Sequence, residues 1–202
     1  MIKIGFCFVK GGTGKTVLAS SSVLYMAAAV AAAGLVDASP VPMAARLMAV
    51  DAAEGIHAGR EEVPVAVVRS PDRLEEGLKA FEEMRLDAAV IDLPPMAKTP
   101  RLDIAVVVAD PPGLEFIGDF KADAKYTILV LNMAEEKTGV KYKDAAAAVV
   151  LPYSPVVARA YAKKIPPILA HSPKAPRHGE WRRQFFKLMS QLEKIVKKEV
   201  RR

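Results

Sequence analysis

Apolar residues in this chain come in short blocks divided by turn-forming and charged segments, and the blocks alternate between strand-like and helix-like spacing. Residues 2–9 are an apolar run interrupted only by Lys3 and Gly5, the length of a buried strand. Ala, Leu, Val and Met dominate residues 16–33, which predicts a helix with Gly34 as its C-terminal stop. Residues 34–37 then predict a short strand ending in Asp37, followed by the turn-rich 38–42. Residues 44–59 are weakly patterned and read as a short helix and a loop. Order returns with a β-branched run over 63–68, a helix over 72–84 capped by Ser70-Pro71-Asp72, and an apolar strand over 88–91 that leads into Asp92. Further strands are predicted over 104–108, over 126–131 ending at Asn132, and over 148–151, with 111–124 and 135–147 as abbreviated crossovers. This alternation predicts the α/β class: a doubly wound, mostly parallel sheet flanked by helices. A chain of 202 residues is long enough for one well-packed domain and short for two, so 1–202 is expected to form a single domain.

Between the first strand and the first helix stands Lys10-Gly11-Gly12-Thr13-Gly14-Lys15-Thr16. Its three glycines let the backbone turn tightly and point several N–H groups inward, where they can wrap an anion with no side chain in the way. The helix opening near Thr16 adds the positive end of its dipole, Lys15 supplies a mobile ammonium for phosphate oxygens, and the Thr16 hydroxyl can ligate Mg²⁺. In open parallel sheets ligands gather at the carboxyl ends of the strands. Lys10, Asp37, Asp92 and Asn132 all fall at predicted strand ends, which points to one shared pocket. Asn132 is the only asparagine in the chain. An amide both donates and accepts, so it can read the exocyclic amine and adjacent ring nitrogen of adenine, where a carboxylate would favour guanine; a plain turn role is the competing reading.

The loop departs from the general phosphate-binding pattern at Val9, where that pattern has glycine, and it carries a second lysine, Lys10, at its entrance. In this it resembles the deviant Walker-A loop, KGGxGK[ST], of the ParA/MinD family of P-loop ATPases. Asp92-Leu93-Pro94-Pro95 resembles the family's D-x-P-P switch, and Asp37 stands where its D-x-D motif begins. The resemblance covers most of the chain and implies a SIMIBI-like P-loop NTPase fold with ATP and Mg²⁺ as cofactors. Gly11, Gly12, Thr13, Gly14, Lys15 and Thr16 would surround the phosphates, and Thr16, Asp37 and Asp92 would stand on the metal side. Lys10 would reach across a dimer interface to the partner's nucleotide, Asn132 would contact adenine, and Pro152 and Tyr153 would pack on the base. Ser39 replaces the second acid of D-x-D, so hydrolysis is expected to be slow, or absent without a ParB-like activator. The family further implies an ATP-dependent homodimer that binds nonspecific DNA to segregate DNA or position cargo, in the cytoplasm at the nucleoid. A non-hydrolysing ATP-dependent switch and a MinD-like regulator on a membrane surface are the alternatives.

Charge sharpens the partner question. Residues 152–202 carry 13 Lys and Arg against 3 Asp and Glu, a net +10, which leaves −4 over residues 1–151 of the total +6. Over 181–200, Phe185, Leu188, Met189, Leu192, Ile195, Val196 and Val200 recur at helical spacing. Arg182, Arg183, Lys187, Lys194, Lys197, Lys198, Arg201 and Arg202 form the other face of a helix expected at about 180–202. Three readings compete for this helix: packing on the sheet with a solvated basic face, binding of DNA phosphates without sequence preference, and contact with an anionic membrane, for which Trp181, Phe185 and Phe186 are suited. Cys7, the one cysteine, lies inside the first predicted strand, which excludes an intrachain disulfide and predicts a core position. His57, His171 and His178 lack zinc spacing and are expected in loops or facing solvent. No cleavable signal segment is expected, because Lys3 is followed directly by the strand that enters the glycine loop.

Overall fold

The computed structural model describes residues 1–51, 53–96, 98–135, 145–170 and 176–200. Eight strands form one sheet: β1 (Ile2–Cys7), β2 (Ala33–Asp37), β3 (Gly55–Ala58), β4 (Pro64–Val67), β5 (Ala88–Asp92), β6 (Leu102–Ala109), β7 (Ala124–Asn132) and β8 (Ala147–Leu151). Their order is β3-β4-β2-β5-β1-β6-β7-β8, and every pairing is parallel except the edge pair β3–β4. Helices α1 (Lys15–Ala29), α2 (Met43–Leu47), α3 (Leu74–Glu83), α4 (Pro155–Ala162) and α5 (Pro176–Val200) cover the sheet. The expected doubly wound α/β architecture is therefore the one observed.

Alternation along the strands divides the core between the two faces. Ile4, Phe6, Leu35, Val90 and Ile104 pack toward α1, α2 and α5, whereas Cys7, Val36, Ile91, Ala105 and Leu129 pack toward α3 and the short turn after β6. With both faces covered, the central strands are apolar at nearly every position, which is why they read as continuous runs in the sequence. Register then sets the height of the strand ends. Asp37 pairs with Asp92, and Phe6 of β1 is level with Asp92 on the other side, so the loops leaving β1, β2 and β5 emerge side by side.

Two elements depart from the sequence expectation. The first helix stops at Ala29 instead of running to residue 33, and Gly34 is not its C-terminal stop but a buried residue of β2. Backbone pairing overrides the helical propensity of the alanines here: the Ala32 carbonyl accepts from the amides of Asp87 and Ala88, and its own amide donates to the Asp87 carboxylate at 3.0 Å. Gly34 is required for close approach, since a Cβ on it would lie 2.7 Å from the Phe81 ring. The weakly patterned 44–59 segment contains β3, an antiparallel edge strand. Its Gly55-Ile56-His57-Ala58 sequence has no buried face to impose an alternating pattern, and Ile56 is 45% exposed.

The C-terminal helix begins at Pro176, before the expected start, and buries the predicted apolar face from Phe185 to Val196, with Ile195 half-buried. Trp181, Phe185, Leu188, Met189, Leu192 and Val196 all join the core, with Trp181 stacked on Phe185 at 5.2 Å. His178 corrects the solvent-facing expectation: it is 2% exposed, lies parallel to the Trp181 ring, and shares a hydrogen bond with the Ala170 carbonyl at 3.0 Å. Arg201, Arg202 and His171 lie outside the described residues, as does the centre of the crossover expected over 135–147. No helix among the described residues is long and apolar enough to cross a membrane.

Candidate functional site

The chain leaves β1 at Cys7 and wraps the glycine loop over the carboxyl edge of the sheet before α1 starts. Gly12 and Gly14 take positive φ of 76° and 98°, conformations that favour glycine. A Cβ at Gly12 would meet nothing within 4 Å, so the loop is open at this position. At Gly14 a Cβ would fall 2.3 Å from Asn132 Nδ2. Asn132 uses that nitrogen to donate to the Thr13 carbonyl at 2.8 Å, tying the end of β7 to the crown of the loop. Lys15 is buried and donates to the Lys10 carbonyl at 2.8 Å, so its ammonium is curled back under the loop. Burial pulls it below the ordinary lysine range, against opposing pulls from Asp92 and Cys7. The Cys7 thiol, fully buried in β1, is pushed up to about 12 by burial.

Two buried carboxylates stand beside this loop. The Thr16 hydroxyl donates to Asp92 Oδ2 at 2.8 Å, while Asp92 Oδ1 is buried with no hydrogen-bond partner. Asp37 accepts from the amides of Ser39 at 3.1 Å and Ala45 at 2.9 Å, so its two oxygens anchor the chain between β2 and α2. Burial raises both carboxyls above the usual range, and for Asp92 the neighbouring Asp37 charge adds to it. An unpartnered buried carboxylate oxygen next to a hydroxyl suits a hydrated divalent cation, which would replace the missing partner and favour the ionised form. The segment after Asp92 is fixed to β1 and the residue after it by backbone bonds from Leu93 to Phe6 and from Met96 to Phe8, and a Cβ on Gly11 would lie 3.4 Å from the Pro95 ring.

A cavity of about 330 Å³ opens from the glycine loop toward β7, β8 and α4. Ser39, Pro95, Asn132, Pro152 and Tyr153 line it together with the loop glycines. Tyr153 is 48% exposed, an aromatic face available at the rim. The structure thus brings the loop, Thr16, Asn132 and the Pro152-Tyr153 segment to one cavity, while Asp92 does not line it and is joined to it through Thr16. Lys10 points away from it: Nζ donates to both oxygens of Asp110, at 2.9 and 2.7 Å. The basic residues of α5 lie on the opposite side of that helix from its buried face; Arg183, Lys187, Lys194, Lys197 and Lys198 are exposed, and Arg182 is half-buried over the Phe186 ring.

No protein-family model and no curated protein matches the chain. Solved structures do. MinD from Pyrococcus horikoshii OT3, complexed with Mg-ADP, matches over 96% of this chain and 97% of its own, with a TM-score of 0.71 and 17% identity. A ParA family ATPase from Chlorobium tepidum TLS matches over 93% and 98%, at 0.65 and 12% identity. A putative plasmid partition protein from Borrelia burgdorferi B31, bound to AMPPNP, matches over 94% and 98%, at 0.62 and 11% identity. The fold is that of MinD and the ParA-family ATPases.

Within this MinD/ParA fold, sequence reading missed residues that line the cavity or hold the loop. Met133 follows Asn132 with φ of 58°, and Tyr161 of α4 and Trp181 of α5 close the far wall. Only the packing of α4 and α5 on the end of the sheet brings those two there. Asp110 was findable, because it directly follows the buried strand β6 just as Asn132 ends β7 and Asp92 ends β5.

Proposed function

We propose that this chain is a ParA-like ATP-binding switch that takes up ATP with Mg²⁺, dimerises around two nucleotides and holds nonspecific DNA, serving DNA segregation or cargo positioning at the nucleoid. The observation that carries the nucleotide part is the pairing of an open glycine loop with the Thr16–Asp92 contact and its orphaned Oδ1. Mg²⁺, when bound, would supply positive charge to offset that of the phosphates. Thr16 would ligate it, Asp92 would hold its water, and Lys15 would leave the Lys10 carbonyl for a phosphate oxygen. The base would lie in the cavity between Asn132 and the Pro152-Tyr153 segment. With Asn132 Nδ2 engaged by Thr13, its Oδ1 remains to accept from the exocyclic amine of adenine.

Hydrolysis needs a positioned water as well as bound phosphates. Ser39 faces the cavity where the D-x-D pattern has its second acid, and a hydroxyl accepts a proton far less readily than a carboxylate. The isolated protein is therefore slow, and a ParB-like partner would supply what speeds it. The same observation favours a second reading, a switch that holds ATP without turnover. The membrane-surface reading loses support, because two of the three aromatic side chains it needs, Trp181 and Phe185, are 2% and 0% exposed, and Phe186 alone, at 40%, is on the surface.

Fluorescent-ATP titration in Mg²⁺ tests the site. Saturable binding is expected, weakened about 100-fold in Lys15→Ala through loss of charge-assisted phosphate contacts. Equal binding by that variant would show that nucleotide is held elsewhere.

A further inference from the structure

Lys10 is the residue that separates this loop from the general phosphate-binding pattern, yet in the single chain its ammonium is already engaged. Nζ lies 2.9 Å from Asp110 Oδ1 and 2.7 Å from Oδ2, a two-point contact at the end of β6. The acceptor is held firmly. Asp110 Oδ1 also accepts from the Gly113 amide at 2.9 Å, and the Asp110 carbonyl accepts from the same amide at 2.8 Å. Position 113 has no room for a side chain: a Cβ there would sit 2.7 Å from Asp110 Oδ1 and 3.0 Å from the Phe8 ring. The turn is thus built tightly around the carboxylate. Asp110 retains 13% of its side-chain exposure and Lys10 retains 32%, so the fixed partner is the acid and the movable one is the lysine. Lys10 also borders an open groove that it lines together with Val9, Phe116, Asp119 and Phe120.

We propose that Asp110 is a positioning residue for Lys10, storing its ammonium in the lone chain so that association with a second ATP-loaded copy requires this contact to open. The inference rests on the dimer reading above. Asp110 takes two of the three donors of the Lys10 ammonium and holds it at the end of β6, so a lysine that reaches phosphates on another chain must leave this two-point contact, and each dimer formed opens two such contacts. Asp110 then sets the protein and ATP concentration at which the dimer appears, and it keeps an unneutralised lysine away from other anions until a nucleotide-loaded partner arrives.

Asp110→Asn separates the charge from the turn, because the asparagine carbonyl oxygen still accepts from Gly113. Two readouts are needed. Amine labelling of Lys10 in the nucleotide-free protein, followed by mass spectrometry, should become several-fold faster in Asp110→Asn; an unchanged rate would overturn the storage role whatever the protein does with ATP. Sedimentation with ATP–Mg²⁺ should show Asp110→Asn dimerising at about tenfold lower protein concentration, the scale expected when two partly exposed ion pairs no longer have to open. In a Lys10→Ala background the Asp110→Asn effect should vanish. Equal or weaker dimerisation of Asp110→Asn relative to wild type would overturn the gating role while leaving the dimer reading intact. If neither protein associates while labelling still accelerates, the dimer reading fails and takes the gating role with it, and the ion pair alone stands.

Discussion

Single atoms decide most of what this site can do. Asp92 illustrates the point: one oxygen is engaged by Thr16 and the other has no partner, so the buried carboxylate is unfinished until something cationic arrives. Asp37, its register partner, is in the opposite condition, with both oxygens committed to backbone amides of Ser39 and Ala45. Asp37 therefore fixes the path of the chain that presents Ser39 to the cavity, and in the proposed function Ser39 is the residue that would limit the chemistry. Restoring a carboxylate there should restore the positioning of water. Ser39→Asp is expected to raise the rate of phosphate release from ATP by roughly 10–100-fold, measured by single-turnover and steady-state assays. An unchanged rate would show that the missing acid is not what holds hydrolysis back.

At the level of elements, α5 has two faces with separable consequences. Phe185 is fully buried and stacks on Trp181, so Phe185→Ala is expected to cost about 3–5 kcal/mol and to lower Tm by roughly 10 °C. Lys187 and Lys194 are exposed on the other face, and reversing both to Glu should leave Tm within about 1–2 °C. Thermal melts of the two variants decide between a helix that belongs to the core and one held in reserve for a membrane. The helix also shows what was legible in the sequence. Its apolar positions at spacings of three and four were readable because one whole face is buried against the sheet. Strands β1, β2, β5, β6 and β7 were readable for a related reason, burial on both faces, and so were the residues at their ends. Illegible were features that tertiary pairing alone dictates: the early stop of α1, where β2 takes its alanines, and β3, whose exposed edge leaves no periodic trace. His178 belongs with these, since only the stacking of Trp181 and the Ala170 carbonyl explain a buried imidazole there. In the site, the glycine loop, Thr16, Asp92 and Asn132 were legible from type and spacing. The destination of Lys10 was not, because Asp110 is 100 residues away in the chain.

For the whole molecule, the proposed function links the cavity to the uneven distribution of charge. The net +10 of residues 152–202 and the −4 of residues 1–151 leave one region suited to phosphate backbones. A single copy presents a modest basic face, whereas two copies joined around nucleotide would present twice the charge, so binding to DNA should depend on ATP through the dimer. This reading joins Lys10, the cavity and α5 into one switch, and a DNA-binding titration with its salt slope tests it most directly. The protein is titrated onto random-sequence duplex with ATP–Mg²⁺, with ADP–Mg²⁺ and without nucleotide, for wild type and Lys10→Ala. Tight, strongly salt-dependent binding is expected only for wild type with ATP, and Lys10→Ala should bind as weakly as the nucleotide-free protein. DNA binding of equal strength with and without ATP, or unaltered by Lys10→Ala, would contradict the switch.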